Sequence, residues 1–311
     1  MSDTQYGTVT GTAFTLINCI FGLFMELDQV HLHFCLTELL EPNLTNQENT
    51  QELSTEDINK QPKVIEIKDK LKIIFSNRCF IYILIASFLR FLGGYSIGFW
   101  GANFFTKTYP DDVQWYSILN ACVTIFGGMP SSFIGGFLGD RYESKYPQAK
   151  GYISGFGALS SCIFIVICFL LQVNFWVSIA GLYFAYLTAE VWYGITFSVI
   201  NQIFPSEFQG VAVAAFQLLG CLSGAIGTFI LGVFGDHFDV DNNPDRFGYI
   251  LGTTVLFSYV GCFPFFILSG LEFKKFILLK RQKSELSKKK QKSPNQSDHN
   301  LRDQFQASKS N

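Results

Sequence analysis

Six long apolar windows dominate the chain: Cys79 to Gly101, Tyr116 to Leu138, Tyr152 to Leu171, Phe175 to Ile203, Val211 to Phe234, and Tyr249 to Leu271. A hydrocarbon core about 30 Å thick takes roughly 17–25 helical residues to cross, and every window meets that length. Within lipid the backbone has no water to bond, so such windows are read as helices. A weaker window, Val9 to Met25, stands at the short end of the range and is closed by Glu26 and Asp28. The pattern predicts an all-α, polytopic membrane helix bundle with its six-helix body over residues 79–271. Residues 1–40 hold the marginal helix. Residues 41–78 read as a linker, whose stretch Glu41 to Lys63 is rich in Asn, Gln, Glu and Thr. Residues 272–311 read as a basic tail, expected to be disordered because it has little apolar surface to bury.

Charge orients the bundle. Lys60, Lys63, Lys68, Lys70, Lys72 and Arg78 precede the first clear span, and Arg141, Lys145 and Lys150 join the second to the third. The segment from Glu272 adds Lys274, Lys275, Lys280, Arg281, Lys283, Lys288, Lys289, Lys290 and Lys292. The alternate connections carry only Lys107 and Arg246, beside Asp111, Asp112, Asp239, Asp241 and Asp245. Lys and Arg are retained on the cytosolic side, so eighteen against two places both ends of the six-span body in the cytosol. Plasma membrane and endolysosomal membrane are not distinguished. The basic block after the last span has two readings, a contact for anionic headgroups or a topology determinant alone.

Composition agrees with this pattern. Only 15% of the 311 residues are charged, and mean hydropathy is +0.25; soluble domains carry about 25% charged residues. The basic residues stand in juxtamembrane blocks and form no globular face, which excludes nucleic acid as a partner and leaves membrane lipids. Of eight cysteines, six lie in or beside apolar windows and none forms a CxxC, so they read as packing residues. His31, His33 and Cys35 form an HxHxC with no second cluster to complete four ligands, so no metal or other cofactor is implied. No nucleophile–base pair or phosphate-cradling loop is present, which argues against an enzyme. The start, MSDTQYG, lacks the basic region of a signal peptide.

Between the second and third spans stands Gly135-Gly136-Phe137-Leu138-Gly139-Asp140-Arg141-Tyr142-Glu143-Ser144-Lys145. Glycines here permit close helix approach, an Asp at a helix end can cap amides or face a helix dipole, and Arg141 and Lys145 hold the loop in the cytosol. The run resembles the G-x-L-[AG]-D-R signature of the major facilitator superfamily of transporters, with Gly136, Gly139, Asp140, Arg141 and Lys145 as the loop-motif residues. Arg78 to Trp100 is similar to the seventh helix of spinster-like facilitators. Phe204-Pro205-Ser206-Glu207-Phe208-Gln209-Gly210 resembles the turn before the eleventh helix, with Gln209 where the family has Arg. Gly220, Gly224, Gly227 and Gly232 resemble that helix's small-residue face. Ser2 to Phe14 is similar to the start of the second helix, and Leu36 to Pro42 to the end of the sixth. The resemblance implies the C-terminal half of a major facilitator fold plus a remnant of the second helix. It also implies secondary transport of a small organic solute or a lysolipid-like anion, with proton coupling as an option. A half cannot enclose a midplane site, so it implies a second copy or a complementary N-terminal half as partner.

Ionisable groups within a span are functional candidates because an unpaired charge in lipid is expensive. Arg90 lies about 16 Å and Glu190 about 20 Å from the cytosolic ends of their helices at 1.5 Å per residue, so the two can pair or face one aqueous cavity. Asn103, Asn120, Trp192, Tyr193 and Gln217 are further candidates for that cavity, or else serve interhelical packing. Trp100, Trp115 and Trp176 fall at outer boundaries, as interface anchors do. If the half stands alone, its partner-facing side is expected to expose Arg90 and Glu190.

Two other classes remain open. Asp140-Arg141-Tyr142 ends the third of seven windows, as in rhodopsin-like receptors, yet the last span has no Asn-Pro-x-x-Tyr and carries Cys262-Phe263-Pro264 instead. A non-transporting membrane subunit or truncated product is the other. The orientation is testable at Asn43-Leu44-Thr45, a glycosylation sequon placed in the cytosol. Glycosidase treatment of protein from a eukaryotic host should leave its gel mobility unchanged, and a glycan on Asn43 would reverse the topology.

Overall fold

The computed structural model describes residues 67–238, 240 and 244–307. The marginal window Val9 to Met25, the HxHxC and the polar linker up to residue 66 lie outside them. Seven helices follow: α1 (Ile67–Ser76), α2 (Arg78–Thr108), α3 (Pro110–Glu143), α4 (Ala149–Leu170), α5 (Phe175–Ile203), α6 (Ser206–His237) and α7 (Pro244–Ala307). Among the described residues there is no strand, and α2 to α7 are long and apolar enough to cross a membrane. Their outward faces present the exposed side chains of Phe99, Phe126, Phe133, Phe137, Leu218, Phe229 and Phe257.

The helices outrun the apolar windows because their ends pack. On α2, Phe104 and Phe105 are buried, and Phe105 stacks on Tyr116 at 4.6 Å and meets Phe175 edge-on at 5.9 Å. Asn77 starts α2 by accepting from the amides of Cys79 and Phe80, and Asn174 starts α5 by accepting from Val177 N. Each satisfies amides that a helix start leaves without partners. The segment before the first span is not entirely a linker. Residues 67–76 form α1, where buried Ile74 faces the bundle and Lys70 donates to the Glu207 carbonyl.

The tail boundary also differs from the sequence reading. Instead of becoming irregular at residue 272, α7 continues as helix to Ala307. Residues 272–292 contain no Gly or Pro, and a helix already nucleated by the preceding span extends through Lys, Leu, Glu and Gln at little cost. Phe273 and Ile277 are buried, and Arg281 donates to the Ser144 carbonyl at 3.1 Å.

Small residues set the crossings. A side chain at Gly135 would strike the Val191 carbonyl, and one at Gly194 the Ser132 carbonyl, so α3 and α5 touch backbone to backbone. Gly151 and Gly270 do the same for α4 and α7. On α6, Gly220 receives Phe91, Gly224 receives Tyr95 and Gly227 receives Leu92, which seats the eleventh-helix-like stripe on α2. Without a hydrophobic drive between helices in lipid, such close packing is a main source of association. Gly194→Val should destabilise the detergent-solubilised protein by about 1–3 kcal/mol or more through overpacking. Gly210 has open space around it in α6, so Gly210→Ala should be neutral or gain up to about 1 kcal/mol of helix propensity. Thermal unfolding of the two variants checks both.

Candidate functional site

The buried apolar residues fall into two clusters, one near each end of the bundle. On α2 the first ends at Ala86 and the second begins at Ile97; on α5 the seam runs between Ala189 and Trp192; on α7 it runs between Tyr259 and Cys262. Arg90 and Glu190 occupy that seam. Arg90 Nη2 donates to Glu190 Oε1 at 2.8 Å, with the side chains 2% and 25% exposed.

Local structure explains how each is positioned. Gly94 leaves room for the Arg90 guanidinium, whose Nη1 would lie 3.3 Å from a side chain there. Gly93 admits the Tyr259 ring of α7, and Arg90 Cζ stands 4.0 Å from that ring's centroid. An aromatic face is a favourable neighbour for a desolvated cation. Glu190 sits where α5 breaks into Phe175–Ala189 and Val191–Ile203. Its carbonyl accepts from the Ser132 hydroxyl at 3.1 Å, and its Cγ faces Gly128 at the end of a π-turn over Thr124–Gly128. Interruptions of this kind recur at functional sites. Arg90 Nε, Trp192 Nε1, Ser87 Oγ and Ser258 Oγ are buried without a hydrogen-bond partner among the described residues. Hydrogen-bonding capacity at the seam is therefore left unspent.

The other candidates divide. Trp192 is buried against Phe91 and Phe216 beside Arg90, and Tyr193 OH accepts from Gln217 Nε2 at 3.0 Å, joining α5 to α6. Asn103 lies thirteen residues along α2 from Arg90, about 20 Å at 1.5 Å per residue. Asn120 lies eight residues along α3 from Gly128, about 12 Å from the level of Glu190. Neither is brought to the ion pair. The expectation that Arg90 is exposed on a partner-facing side is corrected: α2, α5 and α7 enclose it, and only Glu190 reaches the surface. Of the expected anchors, Trp115 and Trp176 are exposed, whereas Trp100 Nε1 donates to the Thr228 carbonyl of α6 at 3.1 Å.

At the basic end the loop motif is built around Lys150, which the charge pattern counts only as a topological cation. Its Nζ lies 2.8 Å from Asp140 Oδ1, 2.6 Å from Glu143 Oε2 and 2.8 Å from Ser198 Oγ, and its side chain is 1% exposed. Ser198 in turn donates to Asp140 at 2.7 Å, and Gln202 Nε2 to Glu143 at 2.8 Å. Asp140 therefore serves Lys150 and Ser198 instead of capping a helix end. Gly139 contacts Ile195 and the Lys150 stem, Gly136 faces Gly194, and Arg141 and Lys145 are exposed. The signal for Lys150 was present: Lys150, Ser154, Ala158, Ser161 and Ile165 form one helical stripe, and all are buried. Gln209, in place of Arg, donates to the Asn201 and Phe204 carbonyls and closes the end of α5.

Six helices able to span a membrane, a buried charge pair between them and a charged two-helix turn at one end fit the fold of a membrane transporter. The sequence profile of the Major Facilitator Superfamily matches residues 4–228, and the chain belongs to that family. Its fold is shared with a bacterial homolog of the human lysosomal transporter Spinster, inward-facing and unoccupied, at TM-score 0.51 and 15% identity over 73% of this chain. The occupied form of that homolog aligns at TM-score 0.45 and 15% identity, over 67% of this chain and 50% of its own. The chain covers 53% of the unoccupied structure, about half its length. No curated protein matches it in sequence.

The ion pair predicts an asymmetric mutational response. Removing one partner of a buried pair costs about 3–5 kcal/mol. Glu190→Gln strands a cation that cannot shed its proton. Arg90→Met leaves only a partly exposed carboxyl, so the first should unfold at the lower temperature. The double variant should recover about 0.5–3 kcal/mol relative to the summed singles. Additive losses in thermal unfolding would show that the two are not coupled.

Proposed function

We propose that residues 79–271 are one of the two bundles of a secondary transporter that moves a small organic solute or lipid-like anion, with Glu190 as the proton-coupling carboxylate. The observation that carries this reading is the Arg90–Glu190 pair at the seam between the two apolar clusters. Facilitator sites lie near the bilayer midplane at the interface of two repeats. There Glu190 alone of the pair reaches the surface, and the enclosed Arg90 keeps its Nε without a partner among the described residues. Protonation of Glu190 would free Arg90 for an anion; deprotonation would restore the pair and release it. The lysine-rich end faces the cytosol, in keeping with the distribution of Lys and Arg. The resemblance to spinster-like facilitators suggests lysolipids or sphingoid phosphates, and that to neighbouring branches sugars or organic anions.

One bundle cannot alternate access around a site it does not enclose, so transport requires a second copy or a complementary N-terminal half. A bundle that acts without transporting is the competing reading. Reconstitution into liposomes under an imposed pH gradient tests the proposal. A strictly monomeric preparation should give no uptake, and the dimer or complemented protein should give saturable, gradient-driven uptake that Glu190→Gln abolishes. Saturable uptake by the monomer would overturn the two-bundle requirement. Gradient-driven uptake by Glu190→Gln at the wild-type rate would overturn the coupling role.

A further inference from the structure

We infer that the basic end of the bundle is a docking surface for anionic phospholipid headgroups, formed jointly by the start of the α7 extension and the α3–α4 turn. Three observations converge on it. First, the lipid-facing stripe of α7 does not stop with the apolar window. Phe257, Val260, Leu268 and Leu271 are exposed along one face, and Leu278, Leu279 and Leu286 continue it at helical spacing into the basic segment. Basic residues that directly follow the lipid-facing stripe of a span are the pattern that reads anionic lipid.

Second, the Arg281 bond to the Ser144 carbonyl holds the extension against the turn. Exposed Arg141 and Lys145 thereby stand beside exposed Arg281, at the end of the bundle that also carries Lys274, Lys280 and Lys283. Third, the acids that would neutralise these cations are already engaged. Asp140 and Glu143 are held by Lys150, and Glu272 by Lys275. From Asp140 to Lys150 and from Glu272 to Glu285 the two segments together carry eight cations and four carboxylates, an excess of four positive charges.

Depth fits the headgroup layer. Lys274 stands three residues past Leu271 and Arg281 ten, about 5 Å and 15 Å along the helix at 1.5 Å per residue. The headgroup layer is about 5–8 Å deep per leaflet, and the potential of an anionic surface extends roughly one Debye length, about 8 Å, beyond it. Lys288 to Lys292 start about 25 Å out, past that range.

The test uses the full chain, reconstituted in vesicles of equimolar phosphatidylcholine and phosphatidylserine, extracted in mild detergent, with retained lipids quantified by mass spectrometry. Phosphatidylserine should be retained severalfold over phosphatidylcholine, less so at high salt, since each cation near the surface changes partitioning by about fivefold. Changing Lys145, Lys274, Lys280 and Arg281 together to Gln should remove the enrichment. These side chains are at the surface, and unchanged thermal unfolding would confirm a folded variant. The same number of charges removed at Lys288, Lys289, Lys290 and Lys292 should leave the enrichment largely in place. Equal retention of both lipids, or equal loss from the two variants, would overturn the inference, the latter by showing that net charge alone is read.

Discussion

A guanidinium that stays protonated at any physiological pH lies midway through a helix bundle built for hydrocarbon, and three helices are arranged around its needs. Arg90 takes a carboxylate from α5 and an aromatic face from α7, and its own helix supplies Gly93 and Gly94, which leave space for them. The seam between the two apolar clusters exists because a charge pair interrupts what would otherwise be a continuous core. A buried pair of this kind does not stabilise the fold better than apolar side chains of the same volume would. The break in α5 at Glu190 and the π-turn of α3 beside it belong to the same layer.

Small residues make that arrangement affordable in lipid. Helices there are not driven together by water, so contact area and backbone approach decide which faces meet. The Gly135–Val191 and Gly194–Ser132 approaches fix α3 against α5 at the level where Ser132 bonds the Glu190 carbonyl. The same pair of helices carries both ends of the charge chemistry. One holds Asp140 and Glu143, the other Glu190, Ser198 and Gln202, and a shift of α3 along α5 would disturb the midplane pair and the basic-end cluster together. Lys150 adds α4 to that linkage, and its proximity to the Phe273 ring, 5.3 Å away, adds α7.

Ion pairs also organise the basic end of the bundle. Lys150 is buried between Asp140 and Glu143, while Arg141, Lys145 and Arg281 stay exposed beside them. The long α7 ties the two together, since one face of it fills the core at Phe273 and Ile277 while the opposite face carries exposed leucines.

Hydropathy determined the class of fold, the number of spans and their order, because the bilayer imposes a length and an apolar composition that few other structures satisfy. It also marked Arg90 and Glu190, since an ionisable residue inside such a window needs an explanation wherever it occurs. The glycine-rich turn with Asp140 and Arg141, and the stripe on α6, marked the family. Other features depended on which faces meet. No pattern along the chain put Tyr259 under Arg90, and none moved Asn103 and Asn120 away from it, because depth and azimuth follow from crossing geometry. Lys150 looked like a loop cation until its stripe was seen to face the interior, where burial converts it into the hub of two carboxylates. The α7 extension looked unstructured by composition, but attachment to a packed helix removed the nucleation cost that makes an isolated segment of that composition irregular. Local composition is legible from the chain alone; the partners of a buried charge are long-range contacts, and only packing assigns them.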